Sequence, residues 1–147
     1  MQESALKNSI TYSRQLIVEA RHHLLKARQR ELKPYHISPE QSNILDILYC
    51  IGRKATLSEI AKHTERGVNT VCQQMIRMEK DGLVRKEREV PKSTLLSFEL
   101  TEKGLDAFNK SKDWKTDKVI MSTLSKEELE LLMALLSKII KKAEKYQ

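Results

Sequence analysis

Glycine and proline number only four and three among the 147 residues, under half the usual share. Scarcity of the two strongest turn formers constrains this chain more than any other feature. An all-β fold needs many tight turns, and a loop that cradles phosphate needs glycines, so both are disfavoured together. A mainly α chain is predicted. With 39% apolar and 32% charged residues it is wetter than an average globular protein. It lacks the low-hydrophobicity, high-charge composition of a disordered one. The length fits one domain, or one domain with extensions.

No segment holds about 18 consecutive apolar residues, so no membrane partner is expected. Met1 to Ser9 has no basic stretch followed by an apolar run, and no secretory signal is read there. Cys50 and Cys72 do not make a disulfide framework. A cytoplasmic location is the resulting expectation. The formal net charge of +7 suits a nucleic-acid partner. The cations are spread over Arg21 to Lys33 and Lys138 to Lys145, however, so charge does not locate the site. His22, His23, His36 and His63 lack the spacing of metal ligands. Ser, His and acidic side chains occur without a nucleophile elbow or other catalytic setting. No metal, cofactor or enzymatic activity is expected.

Four helix starts are legible as capping chemistry. Ser38-Pro39-Glu40-Gln41 offers a hydroxyl at the N-cap, Pro at the first helical position and Gln three residues after the cap. Thr56-Leu57-Ser58-Glu59 and Ser125-Lys126-Glu127-Glu128 are boxes of the same kind. Thr101 opens a fourth helix, with Gly104 in the position of the box acid.

The first long helix is predicted from about Ala5 to Glu31, ended by Lys33-Pro34. Ile10, Ile17 and Leu24 recur every seven residues, with Ser13, Ala20 and Ala27 between them. That is a narrow seam suited to a second helix. The last helix, Lys126 to about Tyr146, carries Leu129, Leu132, Leu135, Leu136, Ile139 and Ile140. Leu131 and Ala134 widen its stripe beyond the needs of one small domain. Surplus apolar surface at both ends points to a homodimer built from the chain termini. The alternative is a monomer that folds its own ends together.

Between the ends lies a compact unit. A helix from Pro39 to about Tyr49 carries Ile44, Leu45, Ile47 and Leu48, and a short one runs from Leu57 to His63. A third, from about Val68 to Lys80, is closed by Asp81-Gly82. Leu83 to Glu89 and Thr94 to Leu100 read as the two strands of a hairpin, with Val90-Pro91-Lys92-Ser93 at its tip. Thr94, Leu96, Phe98 and Leu100 share one face by the period of two. Pro91 lacks a ladder donor and belongs at such a tip.

This order is that of a winged helix-turn-helix, and Ile37 to about Phe108 resembles the MarR family of bacterial transcription regulators. The resemblance is carried by Ile60-Ala61, by Asn69-Thr70-Val71, by Arg77-Met78-Glu79-Lys80-Asp81-Gly82-Leu83-Val84 and by Phe98-Glu99-Leu100-Thr101-Glu102-Lys103-Gly104. The long first helix and the Leu-rich last helix match the family's dimerisation ends. The resemblance implies a mainly α fold with a winged helix-turn-helix DNA-binding core at 37–108, an N-terminal dimerisation helix at 1–36 and C-terminal dimerisation helices at 109–147. It implies a sequence-specific regulator, a repressor in preference to an activator. Such a protein binds a palindromic site on double-stranded DNA as a homodimer and can be released by a small-molecule effector.

The residues of the third helix fit that expectation. With Val71 at zero on a wheel of about 100° per residue, Met75 and Met78 fall within about 40° of it and form the buried stripe. Asn69, Thr70, Gln73, Gln74 and Arg77 are the candidate base-reading residues. Arg can bond guanine O6 and N7, and Asn or Gln can bond adenine N6 and N7. No acid occurs from Arg66 to Met78, so this face does not repel phosphate. The plainer reading is an ordinary solvated face. Arg66, Arg85, Lys86, Arg88 and Lys92 are the candidate backbone and wing contacts. Against them stands a hairpin merely kept soluble by its charges, with Glu87 and Glu89 among them.

Two departures from the family pattern stand out. Family wings usually carry an Asp followed by an Arg that enters the minor groove. Lys92 and Ser93 occupy those places here, which leaves Lys92 or Arg88 a looser phosphate contact. Thr64 and Arg66 replace apolar turn residues, and Gly67 replaces the usual Ser or Asp cap. Ile10, Ile17, Leu24, Leu129, Leu132, Leu136 and Ile139 are the candidate dimerisation residues.

Two other functions compete. Cys50, near Arg53 and Lys54, or Cys72, beside the reading face, would make a thiol-switched regulator if its thiolate were favoured. A winged-helix module that binds protein partners is the other. Tyr12, Tyr49, Phe108 and Trp114 either line an effector pocket or pack a core.

Overall fold

The computed structural model describes residues 2–64, 66–88 and 96–147, apart from the side chains of Leu6 and Arg88. Two compact units divide at Trp114 and Lys115. The first opens with α1 (Gln2–Leu32), a 3-10 turn (Lys33–Tyr35) and α2 (Pro39–Ile51). It continues with β1 (Lys54–Thr56), α3 (Leu57–Thr64), α4 (Val68–Lys80), β2 (Val84–Arg88), β3 (Leu96–Leu100) and α5 (Glu102–Ser111). The second contains α6 (Lys115–Met121), α7 (Lys126–Ala143) and a 3-10 turn (Glu144–Tyr146).

The predicted caps form, each satisfying backbone donors that a helix end leaves unpaired. Ser38 Oγ accepts from Gln41 N–H at 3.1 Å, while Gln41 Oε1 accepts from Ser38 N–H at 3.0 Å. Thr56 and Glu59, and Ser125 and Glu128, make the same reciprocal pair. Thr101 Oγ1 accepts from Gly104 N–H at 3.0 Å. Gly52 closes α2 with φ of 116°, a left-handed conformation that glycine adopts without strain.

The wing is larger than the expected hairpin. Among the described residues the sheet has three antiparallel strands in the order β1-β3-β2. Lys54–Thr56 joins the free edge of β3, with Ala55 opposite Phe98. Three residues are too few to show a period-two pattern, so only the pairing reveals this strand. It also makes β3 central, and Ser97 is buried on the face opposite Phe98 and Leu100. The predicted hairpin tip, residues 90–93, lies outside the described residues, as does Thr94.

Within the first unit one core joins the helices and the sheet, with Leu32, Leu45, Leu48, Ile60, Met75 and Met78 fully buried in it. Arg28 of α1 is 3% exposed beside this core. Its Nη1 donates to Glu31 Oε2 at 2.7 Å. Its Nη2 donates to Ser42 Oγ of α2 at 2.7 Å and to the carbonyl of Ser111, at the end of α5, at 2.8 Å. The guanidinium lies 3.8 Å from the centre of the Trp114 ring. One side chain thus fastens α1, α2 and the end of α5. Burial pushes the neighbouring Asp46 carboxyl above its ordinary range, and the Arg28 charge and a hydrogen bond to Trp114 pull it partly back.

Candidate nucleic-acid interface

α4 is seated by its apolar stripe and then fixed at its C-terminal end. Val71, Met75 and Met78 are buried as the wheel predicts. Gln41 Nε2 of α2 donates to Asp81 Oδ2 at 2.9 Å, and Lys103 Nζ donates to the Asp81 carbonyl at 2.7 Å. Thr101 Oγ1 donates to the Gly82 carbonyl at 2.5 Å. These bonds come from α2 and from the start of α5, so the axis of α4 is held from both sides.

Gly104 makes the second attachment sterically feasible. A Cβ built there would run into the carbonyl oxygen of Leu83, a backbone atom that cannot swing away. Gly104→Ala should therefore destabilise the protein by about 1–3 kcal/mol through overpacking. A lowered urea midpoint with an unchanged slope would register the loss.

The N-terminal end of α4 is open. Gly67 caps it without a side-chain bond, and no acid stands in the first turn. Thr64 Oγ1 accepts from Arg66 N–H at 3.4 Å, and the Arg66 side chain stays exposed. Unpaired first-turn amides, the positive end of the helix dipole and an adjacent cation form surroundings favourable to phosphate.

Asn69, Thr70, Gln73 and Arg77 are all exposed on α4. Among the described residues, no hydrogen bond or ion pair occupies their side chains. Gln74 is only half-exposed, facing a cleft it shares with Glu40, Asn43, Thr64, Arg66 and Thr70. Two apolar residues on this helix are open to solvent, Val68 at 48% and Ile76 at 60%. A wheel drawn through the polar residues already contains them. Expecting apolar side chains to be buried conceals them.

On the wing, register decides which cations are free. Arg85 sits directly opposite Glu99. Its Nη2 bonds Glu99 Oε2 at 2.9 Å and its Nε bonds Glu87 Oε1 at 3.3 Å. Lys54 of β1 adds a contact to Glu87 Oε2 at 3.2 Å. The hydrogen bond to Glu99 pushes the Arg85 pKa up, and Lys54 holds the Glu87 carboxyl below its usual range. Reaching a phosphate would require Arg85 to exchange these carboxylates. Lys86 points to the other face and is exposed. Lys92 and the Arg88 side chain lie outside the described residues.

At the chain ends, the seam of α1 stands uncovered. Ile10 is 63% and Ile17 41% exposed, while Leu24 is half-buried. α7 has no buried residue. Its Leu129, Leu132 and Leu136 are half-buried and its Leu131, Leu135, Ile139 and Ile140 exposed. Tyr49 stacks on Phe108 at 4.0 Å and Trp114 on Arg28, so these aromatics pack, while Tyr12 is exposed. Cys50 is exposed and Cys72 half-buried. No helix among the described residues is long and apolar enough to cross a membrane.

No family model and no curated protein matches the chain. Among solved structures, the organohalide-sensing RdhR transcriptional regulator in its 2,4-dichlorophenol-bound form is 30% identical, with a TM-score of 0.81 over 86% of this chain and 76% of that one. A mutant MarR from E. coli complexed with operator DNA superposes with a TM-score of 0.81 at 18% identity, over 90% of this chain and 96% of that one. MepR from S. aureus, also in a DNA complex, has a TM-score of 0.79 at 24% identity, over 87% and 95% of the two chains.

Proposed function

Since the chain belongs to the MarR family of transcriptional regulators, we propose that it is a homodimeric repressor that reads a palindromic site on double-stranded DNA. The open polar face of α4 carries this reading. Among the described residues, Asn69, Thr70, Gln73 and Arg77 project without partners from a helix held firmly at its far end. Each subunit lays this helix in a major groove, and half-sites lie about one helical turn apart. Gln74 reaches a base edge only from the rim of its cleft. Arg66, the α4 amides, Lys86, Arg88 and Lys92 supply phosphate contacts, with Arg85 joining them when it leaves Glu99. Residues 1–36 and 109–147 join the two copies, and 37–108 carry the DNA.

Occupying a promoter represses it. A small molecule that prefers a spacing of the two α4 helices unlike that of the DNA complex weakens binding by that preference alone. The dichlorophenol-bound neighbour supports an effector of this kind.

Arg77→Ala tests the proposal. It should cost about 1–3 kcal/mol on the specific duplex and leave random duplex untouched. Gel shifts on the DNA upstream of the protein's own coding region, with random duplex as control, measure both. Equal losses would make Arg77 a phosphate contact. A protein that shifts neither duplex at low salt would instead be a protein-interaction module.

A further inference from the structure

The two apolar residues exposed on α4 are not scattered. Val68, Cys72 and Ile76 follow one another at four-residue steps and form one row along the helix. On the wheel this row runs from about 60° to about 140° away from Val71. Ile76 therefore sits within about 20° of Asn69 and about 60° of Gln73, on the outward face itself. The row spans about 12 Å from Val68 to Ile76 and runs beside the polar row of Asn69, Gln73 and Arg77. Exposed Lys80 continues it.

A single exposed aliphatic side chain is ordinary on any protein surface. An apolar row on the face proposed to enter a major groove has a particular chemical complement there. Base-pair edges in that groove present hydrogen-bonding groups and one apolar group, the C5 methyl of thymine. The adenine paired with that thymine presents N6 and N7, which Asn and Gln bond. The apolar row and Asn69 and Gln73 of the polar row are thus suited to A·T pairs, while Arg77 is suited to a guanine.

Resting on the DNA-reading role of α4, we infer that Val68 and Ile76 form a strip that recognises thymine methyl groups, so that each half-site holds thymines at the positions they cover. Deoxyuracil replaces thymine without changing its pairing and removes only the methyl. It therefore isolates this contact from the polar ones.

The test begins by selecting the preferred site from a randomised duplex pool with the intact protein. Thymines of the selected site are then replaced one at a time by deoxyuracil. Wild-type affinity should fall about fourfold at each contacted position, the worth of burying one methyl-sized group. Ile76→Ala and Val68→Ala, at positions already open to solvent, should bind the thymine duplex more weakly. Each should be indifferent to deoxyuracil at its own position. A wild-type protein that binds every deoxyuracil duplex as tightly as thymine overturns the inference. So does a penalty that persists in both alanine variants. Enrichment of a site with no methyl dependence removes this inference alone, whereas a pool that yields no preferred site removes the DNA-reading proposal with it.

Discussion

Glutamate at both Ile10 and Ile17 should yield a folded monomer that has lost about 10²- to 10⁴-fold in affinity for its duplex site. On the proposed dimer, the magnitude follows from unlinking two reading heads that would otherwise bind as one molecule. Ile10 is mostly open and Ile17 about two-fifths open in the single chain, and neither belongs to the core, so the substitutions take nothing from it. Glu is also a better helix former than Ile, so α1 itself should persist. In a two-fold dimer each substitution appears twice, and four carboxylates would meet across a narrow apolar seam. Sedimentation reports the oligomeric state, far-UV circular dichroism the helix content and a gel shift the affinity. A variant that stays dimeric with unchanged affinity would show that α1 does not join the copies. The widened stripe of α7 would then be the surface to substitute next.

The features legible in the sequence were those settled over a few residues. Ser38 with Gln41 and Ser125 with Glu128 fix their helix starts by chemistry contained within one turn. The buried stripe of α4 was equally plain, because Val71, Met75 and Met78 obey the helical period. What escaped depends on partners far along the chain. β1 exists because Lys54–Thr56 finds the edge of β3 more than forty residues later. Arg85 looked like a free wing cation until the strand register set it against Glu99. Arg28 lay inside a basic stretch that reads as solvated surface, and only the docking of α2 and α5 turns it inward. At the candidate site the polar residues of α4 were visible, because exposure of a polar side chain is the default. Val68 and Ile76 were missed because exposure of an aliphatic one is not.

Arg28→Ala should destabilise the first unit by about 3–5 kcal/mol. The loss is mainly that of the partners left behind. Glu31 would lose its 2.7 Å charge-assisted bond, and Ser42 Oγ and the Ser111 carbonyl would lose donors in a region closed to water. Arg28→Lys should recover only part, since an ammonium cannot fork toward two helices while lying flat on the Trp114 ring. The pH dependence separates this account from simple cavity formation. In the fold Asp46 favours its neutral form, so its contribution is complete below its ordinary value of 3.8 and is lost as pH rises through the raised folded value. The Arg28 charge eases that ionisation. Without it Asp46 should resist ionising further, and the deficit of the alanine variant should be smallest in acid and widen towards neutral pH. Urea titrations at several pH values would measure the difference directly. A deficit that stays constant with pH would mean that Arg28 contributes packing alone, and that the charge beside Asp46 does not govern how α1 is fastened to the core.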